Sequence, residues 1–231
     1  MARQARQAAT PLSPLAAEAE FERELEVFRT EAESAAQFFY AFLAIHAAAA
    51  AKRPVLNHIN TAPLFWKTML GALQTASFVA LGRVFDEKST HNAGTLLRLA
   101  QNHPQIFSRA ALARRKQGSA ATPPAWLGSY MKSIYEPKPA DFRRLRNYVS
   151  THRKIYADKY RPLRHQVFAH KGLSDAAAVS ALFARTNIRE MQRMLTFLMS
   201  LYDALWQLFF MDTVRCCARG SIQSPACGRG Q

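Results

Sequence analysis

Within residues 160–172, YRPLRHQVFAHKG, an arginine and a histidine, Arg164 and His170, stand six residues apart among the further basic residues Arg161, His165 and Lys171. An imidazole titrating near pH 6.5 can take a proton from a ribose 2′-hydroxyl or return one to a departing 5′-oxygen. A guanidinium keeps its charge and forks onto phosphate oxygens, so it suits stabilisation of the crowded phosphorane between those two steps. A pair of that kind can cut RNA through the RNA's own hydroxyl without a metal or cofactor, which would leave a cyclic phosphate and spare DNA. The ordinary alternative for His170 is a core histidine bonded to a backbone carbonyl.

The spacing constrains how the pair can meet. Tyr160, Leu163 and Val167 form an apolar seam whose next position in the three-four register is His170, so this ring faces the bundle or a partner. Arg161, Arg164 and His165 superpose on another side. Six residues put Arg164 and His170 about a third of a turn out of phase and roughly 9 Å apart along the axis. They converge only through long side chains or across a symmetric dimer, which implies a composite site.

The charge field fits a polyanion. The formal net charge is +15, and between Arg109 and Lys171 fifteen Lys and Arg face only Glu136, Asp141 and Asp158. Arg143, Arg144 and Arg153 lie on the basic stretch leading to the site and are candidate RNA contacts with Arg161, His165 and Lys171. A solubilising surface or an acidic membrane face are the competing readings of that field. No HExxH, G-x-S-x-G, GxxxxGK[ST] or GxGxxG pattern occurs, and His165 with His170 has the wrong spacing for two metal ligands on one helical face. Cys216, Cys217 and Cys227 are an odd set in a polar tail, which indicates neither a disulfide framework nor a zinc site and fits a reducing cytoplasm. The N-terminus has no apolar stretch of secretory type. Residues 34–51 run eighteen positions without a formal charge, the length of a membrane span, but about half are alanine; a buried helix is expected and a membrane partner is not.

The elements that must position the site are helices. Hydrophobic residues make up 49% of the chain, with only 9 glycines and 11 prolines, which favours long helices around one core. Phe21, Leu25, Phe28, Ala32, Ala35, Phe39, Phe42 and His46 alternate by fours and threes, predicting a first helix over 15–51, with His46 as a hydrogen-bonded core histidine. A break over 52–61 leads to a second helix over 63–85, apolar nearly all round and expected to be the most enclosed. Arg83 and Asp86, three apart at its end, read as a structural ion pair. Residues 87–139 read as an insertion with short helices. Asp141 can cap a long basic helix that reaches Pro162, where the chain kinks or restarts and frees N–H groups for a phosphate. After a loop over 174–185, Asn187 and Glu190 form a capping box for a last amphipathic helix ending near Met211. The prediction is an all-α protein with an antiparallel four-helix-bundle core: a flexible N-terminus over 1–14, one domain over 15–213 and a flexible tail over 214–231.

The Arg164 and His170 arrangement in "RPLRHQVFAHKGL", with "FVALGRVFDEKST" on the second helix and the amphipathic last helix, resembles the R-x4-6-H motif of HEPN domains, and the chain is similar to their AbiU-type branch, associated with abortive phage infection. The resemblance covers residues 20–211. It implies a four-helix-bundle homodimer acting as a metal-independent endoribonuclease, with Arg164 and His170 in the family's arginine and histidine places, in phage defence or a toxin and antitoxin pair; an antitoxin protein is then a further partner. His165 stands where active branches usually carry asparagine or aspartate. Gly172 stands where some HEPN toxins carry a tyrosine modified by a partner enzyme. A catalytically silent module binding RNA, nucleotides or protein through the same groove is the other function this pattern allows.

Overall fold

A computed structural model describes residues 12–169 and 175–211. His170, Lys171, Gly172 and the three cysteines lie outside the described residues, as do the predicted flexible ends except for residues 12–14.

Helix α1, Pro14–Ala51, starts where Ser13 Oγ accepts the Ala16 N–H at 3.3 Å and Pro14 takes a first-turn place that needs no donor. Its predicted seam is buried from Phe21 to Phe39. The last turns of α1 leave the core. His46 is exposed there, its ring edge-on to Phe42 with centroids 4.5 Å apart, so the expected core histidine is corrected to a surface one. The expected break is also a helix, α2, Arg53–Thr61, with Pro54 in its first turn and no residue buried. Helix α3, Pro63–Phe85, has the predicted bounds but not the predicted enclosure. From Ser77 to Phe85 it is mostly buried, whereas Leu64 is 78% exposed and Phe65 and Met69 also face solvent. Its first half lies beside the projecting end of α1 and beside α2.

α1 and α3 run antiparallel, as Ser77 Oγ donating to the Ala35 carbonyl (3.2 Å) and Arg83 Nη1 donating to Glu31 (3.0 Å) show. The second bond replaces the predicted Arg83–Asp86 pair. Asp86 is already extended (φ −74°, ψ 122°), so the helical superposition of positions three apart no longer holds, and its carboxylate turns away from Arg83.

α4, Ala93–Asn102, is capped by Asn92, and a 3-10 turn, Pro104–Phe107, leads to α5, Arg109–Gln117, which ends at Gly118 with φ +59°. Leu96, Leu97, Ala100, Ile106 and Phe107 join the same core as α1, Phe107 meeting Phe21 and Phe142 at 5.0 Å. Each such ring removes apolar surface worth roughly 1.5–3 kcal/mol. After α6, Leu127–Lys132, α7 runs Pro139–Ile155. Asp141 is inside its first turn and not the cap: its carboxylate accepts the Lys138 N–H at 2.8 Å, because Pro139 already starts the helix.

Pro162 does not restart the helix. A π-helical stretch, Tyr156–Tyr160, the short α8, Arg161–Leu163, and a second π-helical stretch, Arg164–Ala169, carry it through. The wider turns absorb the missing N–H, and the Arg161 N–H bonds to the Tyr156 carbonyl, so no free N–H cradle opens there. Part of the predicted loop is α9, Ala176–Ala184, because Asp175 caps an alanine-rich run by accepting from Ala177 and Ala178. Asn187 caps α10, Ile188–Trp206, but Glu190 turns its carboxylate to Lys159 (2.6 Å), leaving the capping box one-sided. Among the described residues there is no strand, and the fold is all-α. Phe85–Tyr156 and Phe78–Tyr160, then His152–Phe197, then Phe21–Phe209, set α3 against α7–α8, α7 against α10 and α10 against α1, all antiparallel.

Candidate functional site

The π-helical turn that begins at Arg164 lies against the buried half of α3. Leu163 is fully buried and Phe168 packs on Phe78 (5.1 Å), which fixes the rotation of the turn and aims Arg164 at the end of α3. Arg164 Nη2 donates to Asp86 Oδ2 at 2.7 Å in a pair that is nearly buried on both sides, with side chains 17% and 12% exposed. The arginine fits because position 82 is glycine. A Cβ there would collide with the guanidinium and lie 2.7 Å from Arg164 Cδ. Gly82 is therefore the hollow in which Arg164 lies, one turn before the carboxylate that holds it.

His165 completes the cluster. Its Nε2 is 2.7 Å from Arg164 Nη2 and 3.8 Å from Asp86 Oδ2. A guanidinium only donates, so Nε2 accepts in this contact and the ring proton sits on Nδ1. A doubly protonated ring has to give up Arg164 and turn to Asp86. Burial works against the Asp86 charge, but the Lys88 N–H (3.2 Å) and the positive Arg164 and Arg161 outweigh it, holding the carboxyl below its ordinary range. Asp86 thus stays ionised and keeps Arg164 in place. Arg164 Nη1 lies against Gly82 and makes no hydrogen bond among the described residues. Behind the cluster, Tyr156 is buried, its hydroxyl pushed up to about 12 chiefly by burial, so it remains a neutral phenol.

From this cluster a groove runs back along α7. A recess of about 190 Å³ is bounded by Asp86, Glu87, Arg153, Lys154, Tyr156 and Arg161. It adjoins a second of about 360 Å³ between α4 and α7, bounded by Arg98, Arg146, Asn147, Ser150, Arg153 and Glu87. Arg146, Ser150, Arg153, Ala157 and Arg161 repeat at spacings of four, three, four and four, one stripe on one helical face. Arg161 and Lys154 have no carboxylate partner among the described residues, and Arg98 and Arg146 meet only neutral oxygens of Thr95 (2.9 Å) and Gln101 (3.4 Å). Arg153 is paired with Glu87 at 2.5 Å, but Glu87 is 69% exposed, so the pair is weak and easily exchanged for another anion.

Of the predicted site residues, the structure brings together Arg161, Arg164, His165 and Arg153. Arg143 and Arg144 are exposed on α7 about twenty residues before Arg164, some 30 Å along the axis at ~1.5 Å per residue, and belong to no shared pocket with it. His170 and Lys171 lie outside the described residues. Sequence reasoning missed Asp86 as the anchor of Arg164, and Gly82 as its seat. The available signal was Gly82 four residues before Asp86: on a face otherwise carrying Phe78 and Phe85, a glycine one turn from a carboxylate leaves space for a long cation. Among the described residues no group of three or more His, Cys, Asp or Glu has the arrangement of a metal site.

A HEPN family model described as AbiU2 matches residues 18–215. No curated protein and no solved structure matches the chain.

Proposed function

Since the chain belongs to the AbiU2 family of HEPN proteins, we propose that it is an RNA-directed effector that cuts RNA as a metal-independent endoribonuclease in phage defence or a toxin and antitoxin setting. The observation that carries this reading is Arg164 itself: an arginine seated in a glycine hollow and oriented by an ionised aspartate, which in turn borders a recess holding Arg153, Lys154 and Arg161. Such preorganisation stabilises charge that develops on a phosphorane without further reordering.

In this mechanism the scissile phosphate meets Arg164 and Arg161. His170 takes the 2′-hydroxyl proton or protonates the 5′-oxygen, and a second copy of the chain supplies the complementary pair across a dimer cleft. His165 next to the guanidinium is an auxiliary phosphate contact. The 2′-oxygen bonds to phosphorus as the bond to the 5′-oxygen breaks, giving a 2′,3′-cyclic phosphate and a 5′-hydroxyl. One observation favours the alternative of a silent RNA-binding module: Asp86 already neutralises Arg164.

Incubating wild type, Arg164→Ala and His170→Ala with total RNA in EDTA separates the two. The expected outcome is cleavage by the wild type alone, with cyclic phosphate ends. Equal cleavage by all three ends the assignment of Arg164 and His170, and RNA binding without cleavage by the wild type establishes the binding module.

A further inference from the structure

We infer that the larger recess between α4 and α7 is a base-reading subsite: it takes one unpaired nucleobase of the RNA strand, several nucleotides from the bond that is cut. The inference rests on the RNA-directed reading above and adds a second recognition point to it. The two recesses share Glu87, Ser150 and Arg153, so one strand can pass from one to the other. Their sizes differ in a useful way. About 190 Å³ lies below the range of ordinary small-molecule sites, enough for a phosphate and part of a ribose; about 360 Å³ falls within that range, enough for a splayed base. The chemistry differs too. The smaller recess offers the cations Arg161 and Lys154, which pair with no carboxylate among the described residues, whereas the larger adds Asn147, whose side-chain amide has no hydrogen bond among the described residues and presents a donor beside an acceptor.

An amide flanked by Arg98 and Arg146 matches what a base edge offers, while the arginines carry its neighbouring phosphates. Only an unstacked base enters a recess of this kind, so the strand there is single. Its distance from the cut follows from the helix. Arg146 and Arg161 are fifteen residues apart, about 22 Å at ~1.5 Å per residue. At one to two times the ~3.4 Å stacked spacing this spans roughly three to six nucleotides.

The experiment measures fluorescence-anisotropy affinities of the full chain for the octaribonucleotides rA8, rC8 and rU8 and for an rA8–rU8 duplex, at 0.15 M salt, with wild type, Asn147→Ala and Arg161→Gln. The wild type is expected to separate the three single strands by at least five-fold and to bind the duplex more weakly than the best of them, since one good base contact discriminates by roughly 1–3 kcal/mol. Asn147→Ala should bring the three within two-fold of each other with an unchanged melting temperature, because its exposed amide makes no hydrogen bond among the described residues. Arg161→Gln should weaken all three equally and keep their ranking. Wild-type indifference among the strands, equal or tighter duplex binding, or an Asn147→Ala profile identical to the wild type overturns the subsite. These readouts need no cleavage, so a wild type that discriminates but does not cut retains the subsite and loses the nuclease.

Discussion

The basic residues on the α1 side of the molecule and those along the α4–α7 groove are the same residue types in the same protein, yet they meet opposite fates. Around α1, Arg23 pairs with Glu20, Arg29 with Glu26 and Glu33, Arg83 with Glu31, and Arg114 and Arg115 with Glu18. Six of the seven glutamates of the first 33 residues are consumed in this way or, as with Glu24 and His91 at 2.9 Å, in a similar contact. Along the groove, Arg98, Arg146, Lys154 and Arg161 pair with no carboxylate among the described residues. The difference teaches that a net charge of +15 is not a uniform coat: acidic residues quench one face and leave the field concentrated on the other. Arg164 belongs to neither set, because its carboxylate positions it and leaves some of its donors unspent.

The largest expected effect comes from filling the hollow that makes Arg164 different. Gly82→Ala puts a methyl where the guanidinium lies and should lower RNA cleavage by about a hundred-fold or more, the usual scale for losing a preorganised charge stabiliser. Stability should fall by about 1–3 kcal/mol, because the nearly buried Asp86 loses its partner and the better helix propensity of alanine, up to ~1 kcal/mol, offsets only part of that. Melting temperature and single-turnover cleavage, measured together, check this; a folded variant with undiminished cleavage sinks the role of the hollow. Next is Asp86→Asn, which keeps shape and removes the charge that orients Arg164. A fall of roughly ten-fold in cleavage is expected, in keeping with loss of one charge-assisted bond worth ~1.5 kcal/mol. There is also a pH signature. Because the Asp86 carboxyl is held low, its contribution to stability is complete above the ordinary carboxylate range and lost as pH falls through its depressed value; the stability gap between wild type and variant should therefore close only in acid.

A paired substitution tests the comparison itself. Arg161→Gln in the groove should weaken binding of a single-stranded RNA several-fold and lower the slope of log affinity against log salt by about 0.7, one phosphate contact. Arg83→Gln, whose cation is already matched by Glu31, should change neither by more than two-fold. Equal effects from the two would mean that the quenched and open faces do not differ in function. Anisotropy titrations across a salt series give both numbers.

How much of this was legible beforehand depended on whether the signal was local. The spacing of Phe21 to Phe39 gave the core face of α1, and Pro63 gave the start of α3, because a three-four period and a first-turn proline need only their own neighbours. The enclosure of α3 was misjudged since composition cannot say how far partner helices extend: Leu64 and Leu81 read alike, yet one is exposed and the other wholly buried. The Arg83–Asp86 pair was misread because spacing three apart brings charges together only while the helix continues, and it stops at Phe85. Arg161, Arg164 and His165 read as a group on one side from spacing alone, but Asp86 lies 78 positions from Arg164 in sequence. No local pattern links two such residues until the fold brings them together.

The smallest predicted effect sharpens the contrast between the two faces of α7 itself. Four residues separate Tyr148 from His152, whose Nδ1 donates to the Tyr148 carbonyl at 2.9 Å, while its ring stacks on Phe197 with centroids 3.8 Å apart and planes within 4°. Burial outweighs that bond, which favours the charge, and the imidazole titrates below its ordinary value near 6.5. The folded protein therefore resists protonation that the unfolded chain accepts. Stability is unaffected by this group above the ordinary value and declines as pH drops below it, until the depressed value is reached. His152→Phe keeps the stacked ring and removes the proton site, at the expense of one hydrogen bond worth about 1 kcal/mol. Denaturant midpoints should place the variant at or slightly below wild type at pH 7.5 and move it upward relative to wild type between pH 6.5 and 5. A parallel decline of both proteins over that interval would mean that the inner face of α7 tolerates a charge as readily as the outer face collects them.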